Sequence, residues 1–167
     1  MSGMLACTSH SPLIRIRPRA PACEPEILVH RAECRAAVEA FDPEQIVFVG
    51  NNHFAGFHYA TMPPYCVGLA AHAVPDLGGA EVPLTVPRDA AMALTEHLRD
   101  EGFDPAISYR MRVDHAFSQP LSLLAGGLDR YPVIPVFVSV FTPPFVSFRR
   151  SRLFGEALGR FVRASGR

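Results

Sequence analysis

The chain has 167 residues, 49% of them hydrophobic and 19% charged, which suits one folded domain with a sizeable core and excludes an intrinsically disordered polypeptide. Its 16 basic side chains balance 16 acidic ones for a formal net charge of zero, and every one of the 16 is arginine, so a lysine Schiff base is excluded. The arginines cluster only at Arg149, Arg150 and Arg152, which leaves no basic face to follow a phosphate backbone and excludes nucleic acid as the expected partner.

Residues 4–8 read as a first strand, ended by Ser9-His10-Ser11-Pro12, where small polar residues and a proline favour a turn. An arginine- and proline-rich loop runs to Pro21. Helix signals then begin at Pro25, with Glu24 and Glu26 near the N-terminus and Ile27, Cys34, Val38 and Phe41 on about one face. Asp42-Pro43 stops that helix. The stretch Gln45-Ile-Val-Phe-Val-Gly-Asn-Asn-His-Phe54 follows, a β-branched and aromatic run that breaks at its C-terminal end into a loop carrying His53.

Residues 56–65 form a loop too rich in proline for regular structure, and its aromatic content suits the wall of an apolar pocket. Residues 66–74 read as a strand and Asp76-Leu-Gly-Gly as a turn. Pro87 opens a helix that runs from Arg88 to about Glu101 and is closed by Gly102. Residues 106–109 read as a short strand leading to Asp114-His115, residues 117–125 as a helix stopped by Gly126-Gly127, and residues 133–141 as a strong strand. Residues 147–164 read as an amphipathic helix with Leu153, Phe154, Leu158, Phe161 and Val162 facing inward. Strands alternating with helices predict a three-layer α/β sandwich, with residues 1–167 as a single domain.

No apolar run approaches the roughly 20 residues that a bilayer span needs, and the first 13 residues lack the basic start and long apolar core of a signal peptide. Cys7, Cys23, Cys34 and Cys66 contain no CxxC pair, which argues for free thiols and against a disulfide framework or a thiolate zinc site. The expected compartment is therefore the cytoplasm, with no membrane partner.

Three histidines, His10, His53 and His115, each follow an expected strand and sit beside small or polar residues. In open α/β sheets the ligand crevice lies outside the carboxyl ends of the strands, so these three imidazoles could converge on one site. His30 and His97 fall on helices and His72 within an apolar run, where a structural role is expected. His58 stands in the aromatic loop and could line the same cavity. Neutral imidazole is a ligand for iron or zinc, and a ring free of the metal can move protons near neutral pH.

Cys7-Thr-Ser-His-Ser-Pro-Leu13, Asn52-His-Phe-Ala-Gly-Phe57, Met62-Pro-Pro-Tyr-Cys66, Val113-Asp-His-Ala-Phe-Ser-Gln-Pro-Leu121, Gly126-Gly-Leu-Asp129 and Pro132-Val-Ile-Pro-Val-Phe137 resemble the class III extradiol ring-cleavage dioxygenases. The likeness is collinear from His10 to Phe161. It implies a central mixed or mostly parallel sheet and extradiol (meta) cleavage of a catechol, with O2 as co-substrate. The branch it is most similar to opens catechols bearing a three-carbon acid side chain, 3-(2,3-dihydroxyphenyl)propanoate or 2,3-dihydroxycinnamate. Matched position by position, His10 and His53 correspond to the two histidines that hold a non-haem Fe(II), and His115 to the proton donor, with Asp114 orienting it. A catechol that takes two positions on the metal, with dioxygen at a third, leaves one face for two histidines and a carboxylate.

Two departures accompany the resemblance. Asn52 stands where close relatives carry aspartate, which removes a charge beside the second iron histidine. The family's chain is also nearly twice as long, so residues 1–167 are expected to correspond to the N-terminal half of a catalytic domain. The resemblance places the glutamate of the iron triad and a second catalytic histidine in the other half, and Glu44, Glu81 and Asp114 are not assigned to that role. A homo-oligomer or a complementary chain is therefore an expected partner. The competing expectations are an inactive or partner-dependent homologue serving as a non-catalytic subunit, and a zinc hydrolase built on the same imidazoles. Arg149, Arg150 and Arg152 are expected on a solvated helix face.

Overall fold

The computed structural model describes residues 3–11, 21–77 and 81–165. Among them lie helix α1 (Glu24–Phe41), strands β1 (Ile46–Gly50), β2 (Tyr65–Gly68), β3 (Ala71–Ala73) and β4 (Val82–Leu84), and helix α2 (Arg88–Asp100). Strands β5 (Ala106–Ser108) and β6 (Met111–Val113), helix α3 (His115–Pro120) with its π-helical continuation Leu121–Ala125, strand β7 (Val133–Val138) and helix α4 (Phe148–Ala164) follow. No helix of the described residues is long and apolar enough to cross a membrane.

The main sheet is mixed, in the order β1-β7-β2-β5. Strand β7 runs parallel to β1, with Val133 opposite Ile46 and Phe137 opposite Gly50, and antiparallel to β2, where Cys66 faces Phe137. Alternation along β7 builds the two halves of the core. Ile134, Val136 and Val138 point to one face, which α2 covers with Ala91, Leu94 and Leu98 and α4 covers with Phe154, Ala157, Leu158 and Phe161. Val133 and Phe137 point to the other, which is covered by Val38 of α1, Phe117 and Leu121 of the α3 region and the small sheet β4-β3-β6. These are the three layers, and the helical apolar positions recur at the spacing that a 3.6-residue turn requires.

Tyr65 stacks on Phe154 at 4.1 Å, and Phe103 meets Phe154 edge-on at 5.1 Å. Arg150 lies 4.1 Å over the Phe103 ring and donates to the Gly102 carbonyl, while Arg152 pairs with Glu156 on the same helix. Those two arginines are thus engaged on the helix surface, as the solvated-face expectation requires.

Several local expectations change. Residues 4–8 are extended but join no sheet, with Leu5 88% exposed. An apolar cavity of about 360 Å³, lined by residues 3–8, β1 and the α3 region, lies between this segment and the outer side of β1.

Residues 66–74 form two strands rather than one. The chain turns at Leu69 and Ala70 in step with Tyr109 and Arg110, so that the parallel pair β2/β5 of the main sheet continues as β3/β6 of the small one. A side chain at Gly68 would place Cβ 2.7 Å from Pro135 Cγ, so this bend needs a residue without one. Strand β4 is three residues with a central proline, too short to stand out by alternation. The helix expected over residues 117–125 begins at His115 and widens to a π-helical turn before Gly126, which closes it at φ 84°. The β7 ladder stops at Val138, which leaves Val140 and Phe141 exposed beyond it. Helix α1 buries only Val38, while Ile27 is 39% and Leu28 55% exposed, so its expected apolar face is engaged at one end.

Candidate active site

Strand β1 delivers the chain to Asn51-Asn52-His53, and Phe54 then adopts φ 64°, a left-handed conformation that turns the loop back. The loop is pressed onto β6. Asn52 is buried, donates through Nδ2 to the Arg112 carbonyl at 2.9 Å, and accepts the Gly56 backbone N–H at 3.0 Å. A Cβ on Gly56 would lie 2.6 Å from the Arg112 oxygen, so only glycine permits this approach.

Asp114 completes the junction. Its Oδ1 accepts the Ala116 N–H at 3.0 Å and caps α3. Its Oδ2 accepts the backbone N–H of His53 and stands 3.4 Å from His53 Nδ1, without hydrogen-bond geometry to that ring atom. Asp114 therefore fixes the His53 backbone against the start of α3. The carboxylate that engages His115 is Asp76, whose Oδ2 accepts from Nδ1 at 2.6 Å and from the backbone N–H at 3.1 Å.

The rings of His53 and His115 stack at 4.2 Å with an interplanar angle of 18°. His10 reaches the same place along the extended segment, 5.3 Å from His53 and 6.0 Å from His115 between ring centroids. Gln119 of α3 holds that segment by donating to the Ser11 carbonyl at 3.4 Å. His53, Asp114 and His115 offer ligand atoms within 4.8 Å of one another. His53 Nδ1 and His115 Nε2 are buried and have no hydrogen-bond partner among the described residues. Burial, reinforced by the neighbouring imidazoles of His53 and His115, lowers the pKa of His10 against the opposing pull of Asp114.

The three histidines singled out in the sequence thus meet, and the other four stand apart. His30 pairs with Glu33, His97 bonds the Ala157 carbonyl, His72 lies in β3, and His58 is exposed in an isolated bridge with Thr61. Of the aromatic loop, Phe57 packs into the core against Phe137 at 4.4 Å. Phe141, beyond β7, lies 5.0 Å from the His53 ring and 6.1 Å from Phe54, which in turn meets Tyr59 at 5.0 Å.

Sequence reasoning missed Asp76, which stands out only as the first residue of a turn. Nothing local links it to a histidine 39 positions away. The arrangement as a whole offers neutral imidazole nitrogens, one carboxylate committed to backbone donors and an aromatic rim. That is a donor set for a divalent metal beside a group able to carry a proton.

Residues 4–165 match the family described as the catalytic LigB subunit of aromatic ring-opening dioxygenase. A 2,3-dihydroxyphenylpropionate/2,3-dihydroxicinnamic acid 1,2-dioxygenase from Pseudomonas putida is 48% identical over 98% of this chain and 52% of its own length. Enzymes of the same description from Azotobacter vinelandii and Burkholderia vietnamiensis are 44% and 46% identical, over 100% and 95% of this chain and 54% and 50% of theirs. The chain thus spans about half the length of the curated relatives it matches.

Two expectations follow from the geometry. Asn52→Asp would set a carboxylate oxygen against the Arg112 carbonyl and should cost about 1–3 kcal/mol or more in urea denaturation; unchanged stability would contradict the bridging role. His10 should titrate by NMR with a midpoint below 6.5. Since the unfolded chain then binds more protons between the two values, this contribution to stability is present above 6.5 and is lost as pH falls through the folded value.

Proposed function

The chain belongs to the family of the catalytic LigB subunit of aromatic ring-opening dioxygenases, and from that premise we propose that it serves extradiol (meta) cleavage of a catechol by Fe(II) and O2 in aromatic-compound catabolism. The substrate proposed is 3-(2,3-dihydroxyphenyl)propanoate or 2,3-dihydroxycinnamate, the class named for its relatives. The observation that carries the reading is the convergence of His10, His53 and His115 from three separate loops onto one place.

The residues present fit the metal. His10 and His53 are proposed to hold it, as neutral imidazoles suited to iron. The lowered pKa of His10 favours its neutral form, and a metal bond would satisfy the buried, unpartnered Nδ1 of His53. Fe(II) held there would supply Lewis acidity and one-electron redox chemistry for the reaction of a catechol with O2.

The remaining roles belong to the chain's own groups. His115, stacked on His53, is the proposed catalytic acid and holds and moves the proton at Nε2. Phe141, 5.0 Å from the His53 ring and 6.1 Å from that of Phe54, offers an apolar side chain against which an aromatic ring would be oriented. Both Asp114 oxygens already accept backbone N–H groups. The resemblance implies that the carboxylate completing the iron ligands and a second catalytic histidine come from the further length that the relatives have, or from a complementary chain. On this reading residues 1–167 form a single α/β domain equivalent to the N-terminal half of a cytoplasmic catalytic domain.

A second reading, a homologue that serves as a non-catalytic subunit or works only in an oligomer, is favoured by the exposed apolar side chains Val140, Phe141, Phe145 and Phe148 that follow β7. Anaerobic Fe(II) loading followed by the catechol and O2 separates the two. The dioxygenase reading expects the yellow ring-fission product. It also expects His53→Ala to weaken iron binding by at least the roughly 10- to 100-fold that loss of an outer partner costs. Absence of product from any catechol, with iron bound, contradicts independent activity.

A further inference from the structure

We propose that Asp76 is the positioning residue for His115, fixing the imidazole as the Nδ1–H tautomer so that Nε2 is the atom that takes up and returns the proton. The inference deepens the reading of His115 as the proton carrier and rests on it. An ionised carboxylate can only accept, so the 2.6 Å contact between Asp76 Oδ2 and His115 Nδ1 requires the hydrogen to lie on Nδ1. In the neutral ring Nε2 is then the unprotonated nitrogen, and it is the nitrogen left buried with no partner among the described residues.

The same Asp76 oxygen accepts the His115 backbone N–H at 3.1 Å. Main chain and ring are thus held by one acceptor, which sets the side chain's orientation as well as its tautomer. Asp114, the adjacent carboxylate in sequence, is not available for this work, because its oxygens serve the N–H groups of His53 and Ala116. Asp76 is itself held at the end of β3, its backbone N–H bonded to the Val74 carbonyl at 2.9 Å, while Val74 N–H bonds Val113 just ahead of the Asp114-His115 pair. The carboxylate and the ring it serves are consequently anchored to neighbouring strands of the small sheet. When Nε2 is protonated the imidazolium faces a negative charge already in place, which needs no reorganisation as the proton arrives.

A purely structural tie between the β3 loop and α3 would leave the ring tautomer free, so the tautomer is the deciding readout. Long-range nitrogen–proton NMR of the histidine rings in the metal-free chain, recorded at mildly alkaline pH, reads it without iron and without turnover. The ring-opening assay can therefore fail or succeed independently of this result. The wild-type spectrum should show His115 with its proton on Nδ1 and an unprotonated Nε2. Asp76→Ala, its fold checked by circular dichroism, should shift His115 towards the Nε2–H form. A wild-type His115 in the Nε2–H form overturns the proposal without any variant, and so does a folded Asp76→Ala protein whose His115 remains wholly Nδ1–H.

Discussion

The candidate site depends on one buried carboxylate with two obligations. Asp114 is 1% exposed and stands between two backbone segments 61 residues apart in sequence, one oxygen capping α3 and the other taking the N–H of His53. Neither donor has another partner supplied by regular structure: Ala116 is in the first turn of a helix, where N–H groups have no intrahelical acceptor, and His53 lies past the end of β1. An acceptor that is ionised and shielded from water makes such bonds stronger than neutral ones. The loop after β1 is therefore held against the start of α3, with Asn52 and Gly56 pressing the same loop onto Arg112 of β6.

The location follows from the sheet. Strands β2 and β5 bend together into β3 and β6, which carries the chain over one face of the main sheet and brings Val113 up to the carboxyl end of β1. Loops from two sheets meet there, with the segment bearing His10 laid beside them and the chain beyond β7 supplying Phe141. Buried polar groups are tolerated at this junction because nearly all are paired: Asn52 by both ends of its amide, Asp114 by two N–H groups, His115 by Asp76. The exceptions at the junction among the described residues are His53 Nδ1, His115 Nε2 and Asp76 Oδ1, and the two ring nitrogens are the atoms that the proposed chemistry would use.

What could be read from the residues follows how local each signal is. β1, α2 and α4 carry their own periodicity or boundary residues, and His53 and His115 were placed by the strands or helices that abut them. β3, β4 and β6 are three residues each; their existence depends on partners elsewhere in the chain, which no local alternation reports. Residues 4–8 have the composition of a strand but pair with none of the described strands. Adjacency in sequence suggests that Asp114 orients His115, but the N-cap conformation turns its carboxylate to the backbone N–H groups of Ala116 and His53. Asp76 carried no signal beyond its turn. The family likeness supplied the roles, whereas the carboxylates that hold each ring in place emerged only with the geometry.

Native-state hydrogen exchange at the His53 backbone amide tests the Asp114 tie most directly. A loop amide without an internal acceptor exchanges almost as fast as an unfolded one, whereas an amide bonded to a buried carboxylate opens only when the surrounding structure does. If Asp114 joins the two segments as described, the His53 amide should exchange about as slowly as the hydrogen-bonded amides of β1. Exchange near the unprotected rate, with β1 still protected, would show that the loop is not held there and would contradict the account of how these histidines are brought together.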